Sequence, residues 1–263
     1  MFPIRDHNPS ERIPYITYGL LIANLAIFLS YLPLFGDEAR LFFFFREYGL
    51  VPRAFLAGEG LGPLFTSMFL HGGWMHIAGN MLFLWIFGDN MEKAFGHLGF
   101  LLFYLASGVA AGLAQVAVDP ASLVPVVGAS GAIAGVMGGY LLLYPRARVD
   151  ILLFLIVYIR IFPVPAWLML GLWFGFQLVA GVADEGGAGV AYWAHAGGFV
   201  AGFLLAIPAF LRMGGSRHWK RTEGHPPHPD ATYRFAQPGV PKVPRAKRPP
   251  RASGRRPSPW HRR

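Results

Sequence analysis

Ser130, in the turn Gly128-Ala129-Ser130-Gly131, and His195, in Ala194-His195-Ala196-Gly197-Gly198, stand inside two long apolar segments. A serine hydroxyl attacks an acyl carbon usefully when a neighbouring base takes its proton, and an imidazole with a pKa near neutrality suits that task. The attack builds negative charge on the carbonyl oxygen, which needs donors already in place. His76 and Asn80, four residues apart and therefore on one face of a helix, supply two candidates, and the Ser130 backbone N–H supplies a third. No acid lies at the level of His195, so the residues point to a serine-histidine dyad rather than a triad. Polar side chains at membrane depth are functional suspects by default.

Each residue alone has a plainer reading. A lone serine in a membrane helix usually bonds to a preceding carbonyl, and a lone histidine often bridges helices. The convergence of four such groups at one depth outweighs those readings. His71 reads as a loop brace, and Asp89 with Glu92 as a structural polar knot or a cap partner.

The elements that must position these groups are set by composition. Hydrophobic residues make up 54% of the 263-residue chain and charged residues 14%, far below the charge content of about 25% in soluble domains. Apolar runs fall at 15–35, 74–91, 98–118, 131–144, 166–183 and 190–211, near the length of about 20 residues that crosses the hydrocarbon core. The expectation is an all-α membrane protein of six spans. The first run exceeds a signal h-region and lacks a small-residue cleavage site after it, so it is read as a retained anchor. At 1.5 Å per residue, His195 lies ~8 Å below a helix start at Val190 and Asn80 ~9 Å below one at Trp74.

Orientation follows from lysine and arginine. With six spans, the side holding both termini carries twenty of them and the other side three, Arg40, Arg46 and Arg53. Positive charge stays cytoplasmic, so the protein is expected to be an integral multi-pass membrane protein with cytoplasmic N- and C-termini. The stretch 150–165 is apolar but short and is interrupted by Arg160, Pro163 and Pro165. It reads as interfacial or re-entrant rather than as a seventh span, which would separate Ser130 from His195. Gly131, Gly135 and Gly139 form one ridge of small residues, and Ala194, Gly198 and Gly202 another. Facing ridges of this kind let two helix backbones approach closely.

Together these residues resemble the rhomboid family of intramembrane serine proteases. The elements that carry the resemblance are Gly128-Ala129-Ser130-Gly131, the Ala-His-x-x-Gly-x-x-x-Gly pattern from Ala194, and His71-Gly72-Gly73-Trp74-Met75-His76 followed by Asn80, in the family's order. The resemblance implies a six-span rhomboid-like bundle over residues 15–212. It also implies Ser130 as nucleophile, His195 as general base, and His76 with Asn80 as oxyanion-stabilising groups. Its substrates would be transmembrane proteins cut in or beside their spans. Two positions depart from the family pattern. Leu61-Gly62-Pro63-Leu64 replaces a Trp-Arg pair in the first external loop, and alanine at 134 replaces an aromatic that stacks on the histidine. Tyr192 or Trp193 is the expected substitute for that aromatic.

Residues 1–14 are expected to form a cytoplasmic N-terminal segment, and residues 213–263 a disordered Pro/Arg-rich cytoplasmic tail. From Arg212 onward the chain holds fourteen basic residues against Glu223 and Asp230, a composition that cannot bury a core. Anionic lipid headgroups are its expected partner. Nucleic acid is not expected, because no aromatic-basic interleaving accompanies the charge. Removing residues 214–263 is expected to leave proteolysis intact. The Phe42–Phe45 cluster between Arg40 and Arg46 reads as an interfacial element. With no cysteine, disulfides and thiolate chemistry are excluded. No His-Glu-x-x-His motif, other metal motif or cofactor fingerprint is present. The alternative from another class is a silent rhomboid-like protein that binds membrane clients. Its usual mark is loss of the serine or histidine, and both stand here. A transporter is disfavoured by the absence of paired charges and repeated halves.

Overall fold

The computed structural model describes residues 2–155, 158–184 and 190–229. In chain order the helices are α1 (Tyr15–Tyr31), α2 (Glu38–Tyr48), α3 (Pro52–Leu56), α4 (Pro63–Thr66), α5 (Trp74–Phe95), α6 (His97–Val118), α7 (Ser130–Leu143), α8 (Ala166–Ala183), α9 (Tyr192–Arg212) and α10 (Ser216–Thr222). Three strands accompany them: β1 (Phe2–Asp6), β2 (Arg148–Leu155) and β3 (Tyr158–Pro165).

Four stretches among the described residues are helices long and apolar enough to cross a membrane: Tyr15–Gly36, His97–Val118, Ala166–Ala183 and Tyr192–Arg212. The other two expected spans are helical but of different character. α5 has 22 residues and carries Asp89, Glu92 and Lys93 in its last turns. α7 has 14 residues, about 21 Å of helix, short of the roughly 30 Å of hydrocarbon. Nearly every residue of α7 is buried, from Gly131 to Leu143. A helix wrapped by others does not face lipid, so its length is set by its neighbours and not by the bilayer.

Close packing of α7 on α9 comes from the two small-residue ridges. A Cβ at Gly198 would collide with the carbonyl of Gly131, and one at Gly202 with the backbone of Gly135. Gly138, which the four-residue spacing omits, meets the backbone of Phe199 in the same way. Gly139 turns instead toward Met91, Phe103 and Ala206. The ridges therefore face each other over two of the three expected steps.

The expectation of an all-α chain is corrected by the sheet. β2 pairs antiparallel with both β1 and β3, in the order β1-β2-β3. The stretch from Arg148 to Pro165 is thus a strand hairpin and not a seventh helix. Its β-branched and aromatic residues favour extended backbone, and Pro163 and Pro165 lie on an edge strand, where a missing N–H is tolerated. Asp150 fixes the N-terminal strand by accepting from Arg5 Nε at 2.7 Å and meeting His7 Nε2 at 2.5 Å.

The polar groups near this end of the bundle form a lock. Glu92 accepts from the backbone N–H groups of Ile16 and Thr17 at 2.9 and 2.8 Å and from the Thr17 hydroxyl at 2.7 Å. It therefore caps α1, which has no cap of its own. Asp89 accepts from Ser10 N–H at 2.7 Å. Asn90 donates to Asp6 at 2.6 Å and to the Asn8 carbonyl at 2.9 Å, and Tyr140 donates to Asp6 at 3.1 Å.

The tail is a second correction, because residues 213–229 are folded. α10 buries His218. Trp219 Nε1 donates to the Leu142 carbonyl at 3.0 Å, satisfying one of the last carbonyls of α7. The Gly224 and His228 carbonyls accept from Arg146 N–H and from Asn8 Nδ2. Trp219 also packs on Phe210 of α9, ring centroids 4.8 Å apart, a contact that net charge alone hides. Residues 230–263, the rest of the expected disordered tail, lie outside the described residues.

At the opposite end, α2 presents Phe42 and Phe43 outward while Phe44 and Phe45 pack on Tyr31.

Candidate active site

Ser130 is the first residue of α7, where helix N–H groups lack intrahelical partners and the helix dipole favours negative charge. The turn before it is pinned from outside. Gly128 N–H donates to the Ser67 carbonyl at 2.9 Å, and Val126 exchanges two backbone hydrogen bonds with Leu50 at 2.8 and 3.0 Å. α9 starts at Tyr192, two residues later than expected, and brings His195 in from across the ridge. His195 Nε2 lies 2.7 Å from Ser130 Oγ.

His76 and Asn80 lie on α5, and both line the same cavity as Ser130 and His195, about 890 Å³ in volume. Gly72 N–H donates to His76 Nδ1 at 3.2 Å. That nitrogen is therefore an acceptor, and in the neutral ring the proton resides on Nε2. His76 Nε2 and Ser130 Oγ converge on one small space: a Cβ at Gly128 would lie 2.8 Å from the first and 3.2 Å from the second. Gly128 has φ +136°, a backbone conformation that glycine alone adopts readily, so the gap beside the serine stays open. Asn80 donates from Nδ2 to the His76 carbonyl at 2.8 Å. That leaves its second amide hydrogen for the cavity.

His71 braces this corner. Its backbone N–H donates to Tyr31 Oη at 2.7 Å, and the same hydroxyl donates to its carbonyl at 3.0 Å. The ring stands edge-on to His76, centroids 5.1 Å apart. Burial and the neighbouring His76 push the His71 imidazole down to about 3, so it stays neutral.

Two groups that contact His195 were missed in the sequence. Its Nδ1 lies 2.9 Å from Gln177 Oε1, and its ring packs on Trp173 with centroids 5.9 Å apart. Trp173, not Tyr192 or Trp193, takes the place of the absent aromatic at 134. Both groups come from α8, four residues apart and on one face. A usable signal existed: Gln177 is the one amide-bearing side chain in an otherwise apolar run, and a polar residue at membrane depth asks for a partner.

Comparison with known proteins gives the family of the chain. The Rhomboid domain family matches residues 59–212. The chain belongs to the rhomboid family. It is 32% identical over 203 residues to Rhomboid protein 1, mitochondrial, of Saccharomyces cerevisiae, covering 72% of this chain and 51% of that one. It is 33% identical over 169 residues to Rhomboid protease GluP of Bacillus subtilis, covering 64% and 30%. A shorter match, 44% over 70 residues, is to Rhomboid-like protein 11, chloroplastic, of Arabidopsis thaliana, covering 27% and 25%. The aligned region spans about half or less of each relative's length. As a rhomboid with several apolar helices, the chain is an integral multi-pass membrane protein.

Proposed function

We propose that this rhomboid is a serine endopeptidase that cuts transmembrane proteins in or beside their spans, with Ser130 as nucleophile and His195 as general base. The observation that carries the reading is the 2.7 Å approach of His195 Nε2 to Ser130 Oγ at the wall of a cavity. In the acylation step His195 Nε2 takes the hydroxyl proton as Oγ bonds to the scissile carbonyl carbon. The carbonyl oxygen, now negative, fits the space between His76 Nε2–H and the first turn of α7, with the free Asn80 hydrogen on the same wall. His195 then returns the proton to the leaving amine, and a water attacks the acyl-enzyme with the same base. A substrate helix must unwind locally to present its carbonyl, because a helical backbone keeps that oxygen bonded.

Six spans, α1, α5, α6, α7, α8 and α9, place both termini on one side of the membrane. The excess of lysine and arginine there makes that side cytoplasmic. The basic residues past α10 would then meet anionic headgroups.

Covalent capture tests whether Ser130 is activated. A fluorophosphonate probe should add to Ser130 in the folded wild type, not at all in Ser130→Ala, and at least 100-fold more slowly in His195→Ala. Equal labelling rates in wild type and His195→Ala would show that the imidazole does not activate the hydroxyl.

A further inference from the structure

We infer that Gln177 is a positioning residue for the base, so that the machinery is a Ser130-His195-Gln177 chain and not an isolated dyad. This rests on the function proposed above and adds a third member from α8. A neutral imidazole carries one proton on either of two nitrogens, and one of the two tautomers is useless here. To take the Ser130 proton, His195 Nε2 must be bare, so the ring proton must sit on Nδ1. An N–H at this depth loses its bond to water and needs an acceptor. The acceptor that the fold provides is Gln177 Oε1 at 2.9 Å, on a side chain only 5% exposed.

The placement is specific within α8. That helix buries Ala166, Leu170, Gln177 and Gly181, and Gln177 is the polar member of the set. Trp173, one turn earlier, lies over the same imidazole and restricts its tilt. The amide oxygen thus fixes the direction of the ring while the indole fixes its plane. An amide accepts the Nδ1 proton's hydrogen bond without holding a negative charge, which at this depth would be costly. It also strengthens its bond to Nδ1–H when the ring becomes imidazolium, the moment at which Ser130 is attacking.

The prediction separates positioning from packing through the pH profile. The titratable groups facing His195 are Ser130 from α7 and His76 from α5. Cleavage of a single-span reporter by the purified full-length protein is measured against pH for wild type, Ser130→Ala, Gln177→Leu and Gln177→Glu, with thermal unfolding followed for each. Gln177→Leu removes the acceptor. It should lower kcat about 10- to 100-fold with KM changed less than about twofold, and it should move the acidic limb of the profile to lower pH because the imidazolium loses support. Gln177→Glu keeps the shape. Its carboxylate favours the imidazolium, so the acidic limb should move to higher pH, by about one to three units if the carboxylate is ionised. Opposite shifts in the two variants are expected. An acidic limb that stays at the wild-type pH in the folded Glu variant would overturn the role, as would wild-type kcat in the folded Leu variant. Either result would leave the proposed protease standing so long as wild type cleaves and Ser130→Ala does not. A wild type that fails to cleave overturns both.

Discussion

At His76 one neutral imidazole is given a direction by its own loop. Gly72 N–H occupies Nδ1, the remaining proton points past Gly128 toward the serine, and glycine at 128 keeps the intervening space free. In the proposed reaction this donor would be in place before any substrate arrives, which is the condition under which such groups lower a barrier most. Replacing His76 by alanine should therefore lower kcat about 100-fold while leaving KM within about twofold. Steady-state cleavage of a single-span reporter measures this, and an unchanged kcat would remove His76 from the reaction. Ser130, His195, His76 and Asn80 were legible in the sequence because each sits in a short run of glycine and polar residues that apolar segments otherwise lack. Gln177 and Trp173 were not, because their relation to His195 runs through space between two helices and leaves no spacing in the chain.

Helices were legible wherever apolar residues persisted for about 20 positions, and α8 was placed to the residue. The sheet was not. Its strands gain their meaning from β1, which lies more than 140 residues away and pairs with β2 through Asp150, Arg5 and His7. A polar N-terminal segment of this kind carries no apolar period to read. Its docking has a pH dependence of its own. Burial, and then the neighbouring Asp89 carboxyl, push the Asp6 carboxyl from its ordinary 3.8 up to about 7. The folded state holds this proton more tightly than the unfolded chain does. The stabilisation is therefore fully present below about pH 4 and is lost as pH rises through about 7. Hydrogen exchange of the β1 amides, corrected for intrinsic rate, should show protection falling between pH 6 and pH 8 in wild type. In Asp6→Asn, which keeps an acceptor for Asn90 and Tyr140 without a charge, the fall should be smaller. An equal fall in both proteins would assign the effect to another group.

For the molecule as a whole, α7 is the member on which both ends depend. Its first residue is Ser130, and its last turn is closed by Trp219 from a segment that charge composition alone marks as unstructured. High net charge in the full tail masked a stretch from Ser216 that is held by hydrogen bonds to Leu142, Asn8 and Arg146 and by the buried His218. The boundary between folded chain and basic tail therefore belongs after α10 and its following turns, not at residue 213. A chain ending at residue 229 should unfold at the wild-type temperature and cleave at the wild-type rate. One ending at residue 213 loses the Leu142, Asn8 and Arg146 contacts. A loss of about 2 kcal/mol would lower its midpoint by roughly 4–8 °C. Equal midpoints for the two truncations would return the whole tail to the unstructured class.

Cleavage of a single-span reporter in liposomes, by wild type, Ser130→Ala and His195→Ala, each verified as folded, addresses the chemistry most directly. Product from wild type alone is the expected result. Product from a folded Ser130→Ala protein would contradict the assignment of the nucleophile, and reporter bound but left uncut by wild type would favour a client-binding rhomboid in its place.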